Sequence, residues 1–275
     1  MSISTNKKED ERIDRLASAP FLLVHLAPLA AFWTGFTAFD VVLCFALFGV
    51  RMFFITAGYH RYFAHRSFRM NRAVQFLFAL GGTLAVQKGP LWWAGHHRHH
   101  HKHSDQSLDV HSPSRNFWWS HVGWILCRKY EAAPIHLIQD FARYPELRWL
   151  DRYHVVPPIV LAAICFQAGG WPALLVGFML STVILYHCTF SINSLAHLIG
   201  RQPFATGDTS RNSLVLALMT LGEGWHNNHH YYPHSTRQGH LWWQIDITYY
   251  VLKVLSWIGV VNSLRPPILS HEKKG

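Results

Sequence analysis

The chain has 275 residues, of which half are hydrophobic and 15% are charged, and its formal net charge is +10. This length permits one domain or two, and the composition excludes a disordered chain that cannot bury a core. A basic protein can bind nucleic acid, but no segment resembles a nucleic-acid-binding module. Anionic headgroups, an anionic substrate or an acidic protein are therefore the expected partners.

The N-terminal segment, residues 1–19, is charged and is expected to be a cytoplasmic tail. Ala17, Ser18 and Ala19 resemble the small residues of a signal-peptide cleavage site, but they precede the first apolar run instead of following it. The acidic run at positions 9–11 is also unlike a positively charged leader. We therefore predict that this segment is not a signal peptide.

Two long stretches, Leu16 to Val50 and Tyr153 to Gly200, contain no Lys or Arg. Apolar runs at residues 20–36, 41–57, 154–168 and 171–190 predict four transmembrane helices arranged as two hairpins. The two short turns lack Lys and Arg, so the positive-inside rule puts segments 58–153 and 191–275 in the cytoplasm. The sequence thus predicts an all-α integral membrane protein in which residues 20–275 form one domain, with segments 58–153 and 191–275 as its cytoplasmic helical cap.

The four cysteines, Cys44, Cys127, Cys165 and Cys188, include no C-x-x-C pair, and three of them lie in predicted spans. This pattern argues against a disulfide framework and against an intrinsic zinc or iron–sulfur site. Any electrons for a redox reaction must therefore come from a separate protein.

Histidines carry the main chemical signal of the sequence. The segment GEGWHNNHH, from Gly222 to His230, spaces its three imidazoles by three and four residues, so they share one face of a helix. The same H-x-x-H-H spacing recurs in the run that begins at Trp92. With the predicted topology, nine histidines lie near the cytoplasmic ends of the second and fourth spans: His60, His65, His97, His100, His101, His197, His226, His229 and His230.

Nine neutral imidazoles are more than one tetrahedral zinc ion can use, so the sequence predicts two metal ions. Imidazole binds iron, copper, nickel and zinc, and the ligand type alone does not choose among them. A membrane site that meets acyl chains favours dioxygen chemistry and therefore iron. Asn193 lies four residues before His197 on the same predicted helix face, where a partner that holds water would stand.

Four segments resemble the membrane fatty acyl desaturases of the stearoyl-CoA, delta-9 type, and especially their short bacterial and cyanobacterial members. The similar segments are GYHRYFAHRSF (58–68), GPLWWAGHHRHHHKHSD (89–105), NSLAH (193–197) and GEGWHNNHH (222–230). They occur in the family's order and spacing, and they extend over nearly the whole chain.

The resemblance implies a di-iron centre that uses O2 as co-substrate and has the nine histidines as ligands, with Asn193 reaching iron through water. It also implies a narrow bent tunnel for the acyl chain, lined by Thr189 and Trp225, with Phe190 where close relatives have Trp. The implied partners are a fatty acyl-CoA or acyl-lipid substrate, a ferredoxin or b5-type cytochrome as electron donor, and the lipid bilayer, in a bacterial inner membrane. Candidates for orienting the ligand rings are Glu223, Asp105, Asp208 and His187.

The expected reaction is the introduction of a cis double bond, at delta-9, into a saturated acyl chain. Two other functions remain open at the level of sequence. A related di-iron hydroxylase or ketolase would use the same histidines, and only the family resemblance favours desaturation. A histidine-rich metal transporter would need polar residues along its spans, where we expect only His25 and His187.

Overall fold

The computed structural model describes residues 11–16 and 18–267. In these residues the fold is helical, and the only β-structure is a set of isolated bridges, so the predicted all-α class is confirmed. The principal helices are α1 (Ala19–Thr34), α2 (Ala38–Ala64), α3 (Arg72–Thr83), α4 (Pro90–His103), α5 (Phe117–His121), α6 (Pro145–Arg152), α7 (Val156–His197), α8 (Leu214–Met219), α9 (His226–Tyr231) and α10 (Ile247–Trp257).

Two of these helices, α2 and α7, are long and apolar enough to cross a membrane, and α1 is a shorter apolar helix. Gly35, at a φ of +69°, ends α1, and a capping box starts α2. In that box the Asp40 carboxylate accepts hydrogen bonds from the backbone N–H and the hydroxyl of Thr37, both at 2.8 Å. The capping residues therefore separate α1 from α2 at the turn that the sequence predicts.

Helix α7 is broken at Gly169 and Gly170, where the backbone leaves helical geometry and Gly170 adopts a φ of +64°. The second limb of α7 packs along α2. A Cβ atom at Gly169 would lie 3.5 Å from Phe39 and 3.7 Å from the carboxylate of Asp40. The break in α7 thus lies beside the α1–α2 turn, and it falls between the two apolar runs predicted at 154–168 and 171–190.

Arg51 corrects the expectation that His25 and His187 are the only polar exceptions along the predicted spans. It lies in the run 41–57, on α2, and is only 1% exposed. Its guanidinium donates to the carbonyl of Leu47 and to the hydroxyl of Thr182, at 3.1 and 2.7 Å, and lies over the ring of Phe178. Neutral hydrogen-bond acceptors and an aromatic face therefore stabilise the buried charge.

Helix α3 packs closely against the C-terminal part of α2 because glycine faces aromatic rings at the contact. A Cβ atom at Gly82 would lie 2.3 Å from the ring of Tyr59. By contrast, a Cβ atom at Gly49 on α2 meets no atom within 4 Å.

We expect Gly82→Ala to lower the free energy of unfolding by about 1–3 kcal/mol, because the added methyl forces the Tyr59 ring to move. Gly49→Ala is the matched control and should leave stability unchanged or raise it by up to about 1 kcal/mol. Thermal unfolding of both variants in detergent measures the difference. Equal melting temperatures would contradict the proposed close contact.

Candidate metal centre

Helices α4 and α9 carry the two H-x-x-H-H motifs. The first turn of α4 is capped from outside, since the Asp151 carboxylate accepts from the backbone N–H groups of Leu91 and Trp92 at 3.0 and 2.9 Å. The first turn of α9 is capped by the side-chain oxygen of Asn212, which accepts from the N–H groups of Asn227 and Asn228. These capping contacts stabilise both helix starts and so orient the histidines that follow.

His60 and His65 are five residues apart and would face different directions on an α-helix. The structure brings them together because the end of α2, Phe54–Ala64, is π-helical, and the N–H of His65 bonds the carbonyl of His60 at 3.2 Å. Their rings lie 4.9 Å apart between centroids. A wider helical turn therefore places both imidazoles on one side.

All nine histidines predicted as ligands fall into two groups whose ligand atoms lie within 4.8 Å of one another. Cluster A contains His60, His65, His97, His101 and His229, and cluster B contains His100, His197, His226 and His230. Each H-x-x-H-H motif contributes to both clusters. The neighbouring His96 lies instead against Trp92 and Trp124.

Nε2 atoms of different rings lie close together inside each cluster. In cluster A the Nε2 atom of His229 lies 3.0 Å from that of His60 and 2.9 Å from that of His101. In cluster B the Nε2 atoms of His197 and His226 are 3.1 Å apart. A neutral imidazole carries a single N–H. Nε2 atoms this close together therefore cannot all form hydrogen bonds with one another.

Carboxylates hold the opposite nitrogen, Nδ1, of several of these rings. The sequence predicted three such acids, and each contacts a cluster histidine: Asp208 contacts His230 at 2.6 Å, Asp105 contacts His197 at 3.4 Å, and Glu223 contacts His60. A fourth acid, Asp109, which the sequence analysis missed, contacts His100 at 3.0 Å. With Nδ1–H donated outward, Nε2 presents its lone pair to the cluster.

A buried ion-pair network supports this arrangement. The guanidinium of Arg61 donates to Glu223 at 2.9 Å and to Asp246 at 3.0 Å, and all three side chains are at most 7% exposed. Burial opposes ionisation of Glu223, but His60 and Arg61 outweigh that effect and lower its pKa to about 2. Glu223 is therefore a carboxylate that can accept a hydrogen bond from His60.

Burial favours the neutral form of several cluster rings. Burial lowers the pKa of His65, His97 and His229 well below the ordinary value, and the neighbouring histidines lower it further. Burial likewise lowers the pKa of His230, to about 4, against the opposing effect of Asp208. Neutral imidazole is the form that binds metal.

These observations fit two metal ions. The Nε2 atom of His230 is buried without a hydrogen-bond partner, although its Nδ1 is held by Asp208. Converging Nε2 lone pairs repel one another, and a cation bound between them replaces that repulsion with attraction. The five- and four-histidine sets thus have the composition of metal sites, with nitrogen ligands that suit iron, copper, nickel or zinc.

A cavity of about 760 Å³ reaches from cluster A into the space between the apolar helices. His97, Asn193, Thr189 and Phe190 line it, together with apolar side chains of α1 and α7. Trp225 does not line this cavity; its indole donates to the carbonyl of Ile245 at 2.7 Å. The cavity volume is in the usual range for a small-molecule site.

A short polar chain crosses this apolar wall. The Trp93 indole donates to the side-chain oxygen of Gln87 at 3.2 Å, and the Gln87 amide donates to the Thr189 hydroxyl at 3.1 Å. His187, a predicted partner of the ligand rings, contacts His25 and His121 rather than either cluster.

Comparison with known proteins identifies the family. The model of the fatty acid desaturase family matches residues 37–255. The chain is 38% identical over 260 residues to an acyl-CoA 5-desaturase of Anemone leveillei, covering 94% of this chain and 77% of that protein. It is 40% identical over 215 residues to an sn-2 palmitoyl-lipid 9-desaturase of Nostoc sp. (strain 36), covering 76% and 75%.

A third relative matches along almost its full length. The chain is 35% identical over 268 residues to an sn-1 stearoyl-lipid 9-desaturase of Anabaena variabilis, covering 96% of this chain and 98% of that protein. The chain belongs to the fatty acid desaturase family. It is an oxidoreductase that acts on fatty acyl chains, as the four histidine-bearing segments indicate.

Sequence reasoning on this desaturase missed the residues that support the clusters from outside the motifs. Asp109 and Asp246 have no periodic relation to the motif histidines, and Arg61 adjoins a motif histidine but resembles an ordinary interfacial cation. Gln87 gave no signal either. The one usable indication was the D-x-H pair of Asp109 and His111 shortly after the second motif.

We expect Asp208→Asn to weaken metal binding by about 10–100-fold, because the His230 ring loses the charged acceptor that orients it. Glu146→Gln, which removes a surface carboxylate paired with Arg72, is the control and should bind metal as the wild type does. Anaerobic titration of metal-stripped protein with Fe²⁺ gives the affinities. An unchanged affinity in Asp208→Asn would refute this role.

Proposed function

We propose that this desaturase introduces a cis double bond at delta-9 of a saturated acyl chain, with two iron ions held by the nine histidines. The observation that carries the proposal is the pair of histidine clusters, in which Nε2 atoms of different rings approach one another to 3.0 Å in cluster A and 3.1 Å in cluster B. Two of the relatives described above are named 9-desaturases, which supports the double-bond position.

When bound, two iron ions with O2 would supply the oxidising power that removes hydrogen from unactivated methylenes. His60, His65, His97, His101 and His229 would hold one ion, and His100, His197, His226 and His230 the other, with Asn193 acting through water. The chain's own contribution is geometric. Neighbouring methylenes have the same reactivity, so only a fixed position of the acyl chain selects one pair.

The cavity supports this positioning. Its wall is mostly apolar, with Phe21, Val24, Ile159 and Met179 suited to methylene groups, and His97 of cluster A forms part of it. The chain from Trp93 through Gln87 to Thr189 keeps two helices at a fixed spacing on that wall. We infer that Thr189 and Phe190 limit the acyl path beside the clusters.

The proposed topology has four spans, with α1, α2 and the two limbs of α7 in the membrane and the remainder as a cytoplasmic cap. It is supported by the glycine break in α7 beside the α1–α2 turn and by the absence of Lys and Arg in both turns. Residues 20–275 would then act as one domain in a bacterial inner membrane. A ferredoxin or a b5-type cytochrome would supply electrons, and an acyl-lipid or acyl-CoA would be the substrate.

Expression in a host that makes only saturated fatty acids, with a ferredoxin system present, should yield a mono-unsaturated acid with its double bond at carbon 9. The product should be abolished in each of three variants, His101→Ala, His226→Ala and His229→Ala, because loss of the ring leaves one coordination position of the metal empty. Lipid chromatography with double-bond location measures the product.

Asn193→Ala should lower iron occupancy without eliminating it.

Hydroxylated products would instead assign the chain to a di-iron hydroxylase, and turnover retained in the histidine variants would refute the di-iron site. Separate analysis of the glycerolipid and acyl-CoA pools shortly after induction identifies the acyl carrier. The pool in which the double bond first appears is the substrate pool.

The topology predicts that a cysteine at position 36, in the α1–α2 turn, is labelled on intact cells by a membrane-impermeant maleimide. Phe36 is exposed, and the four native cysteines are buried, so the background should be low. Lys102→Cys in the cap is the control and should react only after the membrane is opened. Labelling of both positions from the same side would contradict the four-span arrangement.

A further inference from the structure

The cavity beside cluster A is open on one side. Val155 and Ile159, beside and on the first limb of α7, line the cavity although they are 53% and 64% exposed. On α1, Pro20 lines it and is exposed, while Phe21 and Val24 line it and are partly buried. Residues this exposed lie at the rim of a cavity and not inside a closed one. The gap between α1 and the first limb of α7 is therefore an opening, which we call the side opening.

The side opening extends along the apolar helices. Toward α7 the lining residues run from His154 to Ala162, which is about 12 Å at about 1.5 Å per residue. On α1 they run from Pro20 to Val24, which is about 6 Å. Neither stretch contains Lys, Arg, Asp or Glu, and both lie in segments proposed to cross the membrane. With that topology, the exposed rim contacts the acyl chains of lipids and not water.

The opening ends deeper along the same helices. Ala31, near the end of α1, belongs to a buried apolar group with residues of α2 and α7: Cys44, Leu175 and Val176. The last turn of α1, Ala31–Thr34, also contacts the segment Val156–Pro172 of α7. The gap thus lies beside the N-terminal parts of α1 and of the first limb of α7, and it is closed toward the α1–α2 turn.

The charges around the cavity do not match a carrier with several negative charges. Apart from histidines, the charged side chains that line it in the described part of the chain are Lys88 and Glu131, one of each sign. Two cations of the adjoining segment already have acidic partners, in the ion pairs Arg128–Asp14 and Lys129–Glu11. Coenzyme A and acyl carrier protein each carry several negative charges, which a cavity of balanced charge attracts little. A single cation, Lys88, matches instead the one phosphate or the ester of a glycerolipid.

We propose that the acyl chain of a membrane glycerolipid enters this cavity sideways from the bilayer, through the side opening. The inference rests on the proposed function and its four-span topology, and it names the acyl carrier of that reaction. The ester group stays near Lys88, while the chain moves between α1 and α7 toward His97 of cluster A. Its methylenes remain in an apolar environment throughout, whereas a chain delivered by a soluble carrier first has to leave the bilayer.

The first test compares two carriers, with the full-length, iron-loaded enzyme in dioleoyl-phosphatidylcholine vesicles and a ferredoxin system. One substrate is distearoyl-phosphatidylglycerol in the vesicles, and the other is stearoyl-CoA added to the water, each with an isotope label in its stearoyl chain. We expect the double bond to form in the phosphatidylglycerol at least about tenfold faster than in stearoyl-CoA. A smaller difference, or a faster reaction of stearoyl-CoA, overturns the proposal.

The side opening itself is tested by Ile159→Trp, which fills the gap with a larger side chain. The matched control is Val160→Trp, since Val160 is the next residue, is 52% exposed and does not line the cavity. Ile159→Trp should lower kcat/KM for the glycerolipid at least about tenfold, whereas Val160→Trp should leave it unchanged. Iron content and melting temperature should stay the same in both variants. Equal effects of the two substitutions contradict the side opening.

A third measurement does not depend on catalysis. A phosphatidylcholine with a photoreactive diazirine on its acyl chain is placed in the same vesicles without an electron donor, and adducts are located by mass spectrometry. Tyr186 lines the cavity and is buried, so lipid outside the protein does not contact it. Adducts at Tyr186 should form, and they should decrease in Ile159→Trp but not in Val160→Trp. Their absence overturns the proposal, whereas adducts in a protein that desaturates neither substrate refute only the proposed function.

Discussion

Each imidazole of the two clusters has two ring nitrogens, and the fold must provide for both in a space with little water. For four of the nine rings, His60, His100, His197 and His230, a carboxylate contacts Nδ1 from outside the cluster. The acids come from the loop after α4 (Asp105 and Asp109), the loop before α8 (Asp208) and the turn before α9 (Glu223). The same contacts that orient the rings therefore fix the path of three loops.

Two kinds of contact stabilise the buried carboxylates: hydrogen bonds from histidines and an ion pair with an arginine. Asp208 and Asp109 accept hydrogen bonds from histidines, and the pKa of each carboxyl is lowered by those contacts although burial opposes ionisation. Glu223 has Arg61 as well, and Arg61 also binds Asp246, the residue that caps α10 by accepting from the N–H of Tyr249 at 3.0 Å. One buried guanidinium thus connects α2, the start of α9 and the C-terminal helix.

Much of the fold and of the site could be predicted from the sequence because both depend on periodicity. The three-and-four spacing identified the rings of α4 and α9, and Gly169–Gly170 marked the break in α7. The division of the histidines into five and four could not be predicted, since it depends on how α4 and α9 cross. Asp109 was missed because a loop residue has no periodic signal, and Arg51 was missed because a strongly apolar run masks a single charge.

The π-helical end of α2 determines the five-residue spacing of the two histidines in the first motif. On an α-helix, histidines four residues apart share a face, whereas on this wider turn the spacing becomes five. A chain with one residue fewer between the two positions could therefore present the same pair from an ordinary α-helix. The spacing of that motif is a property of the local winding of the helix, so a one-residue difference between two sequences there need not be a difference in ligands.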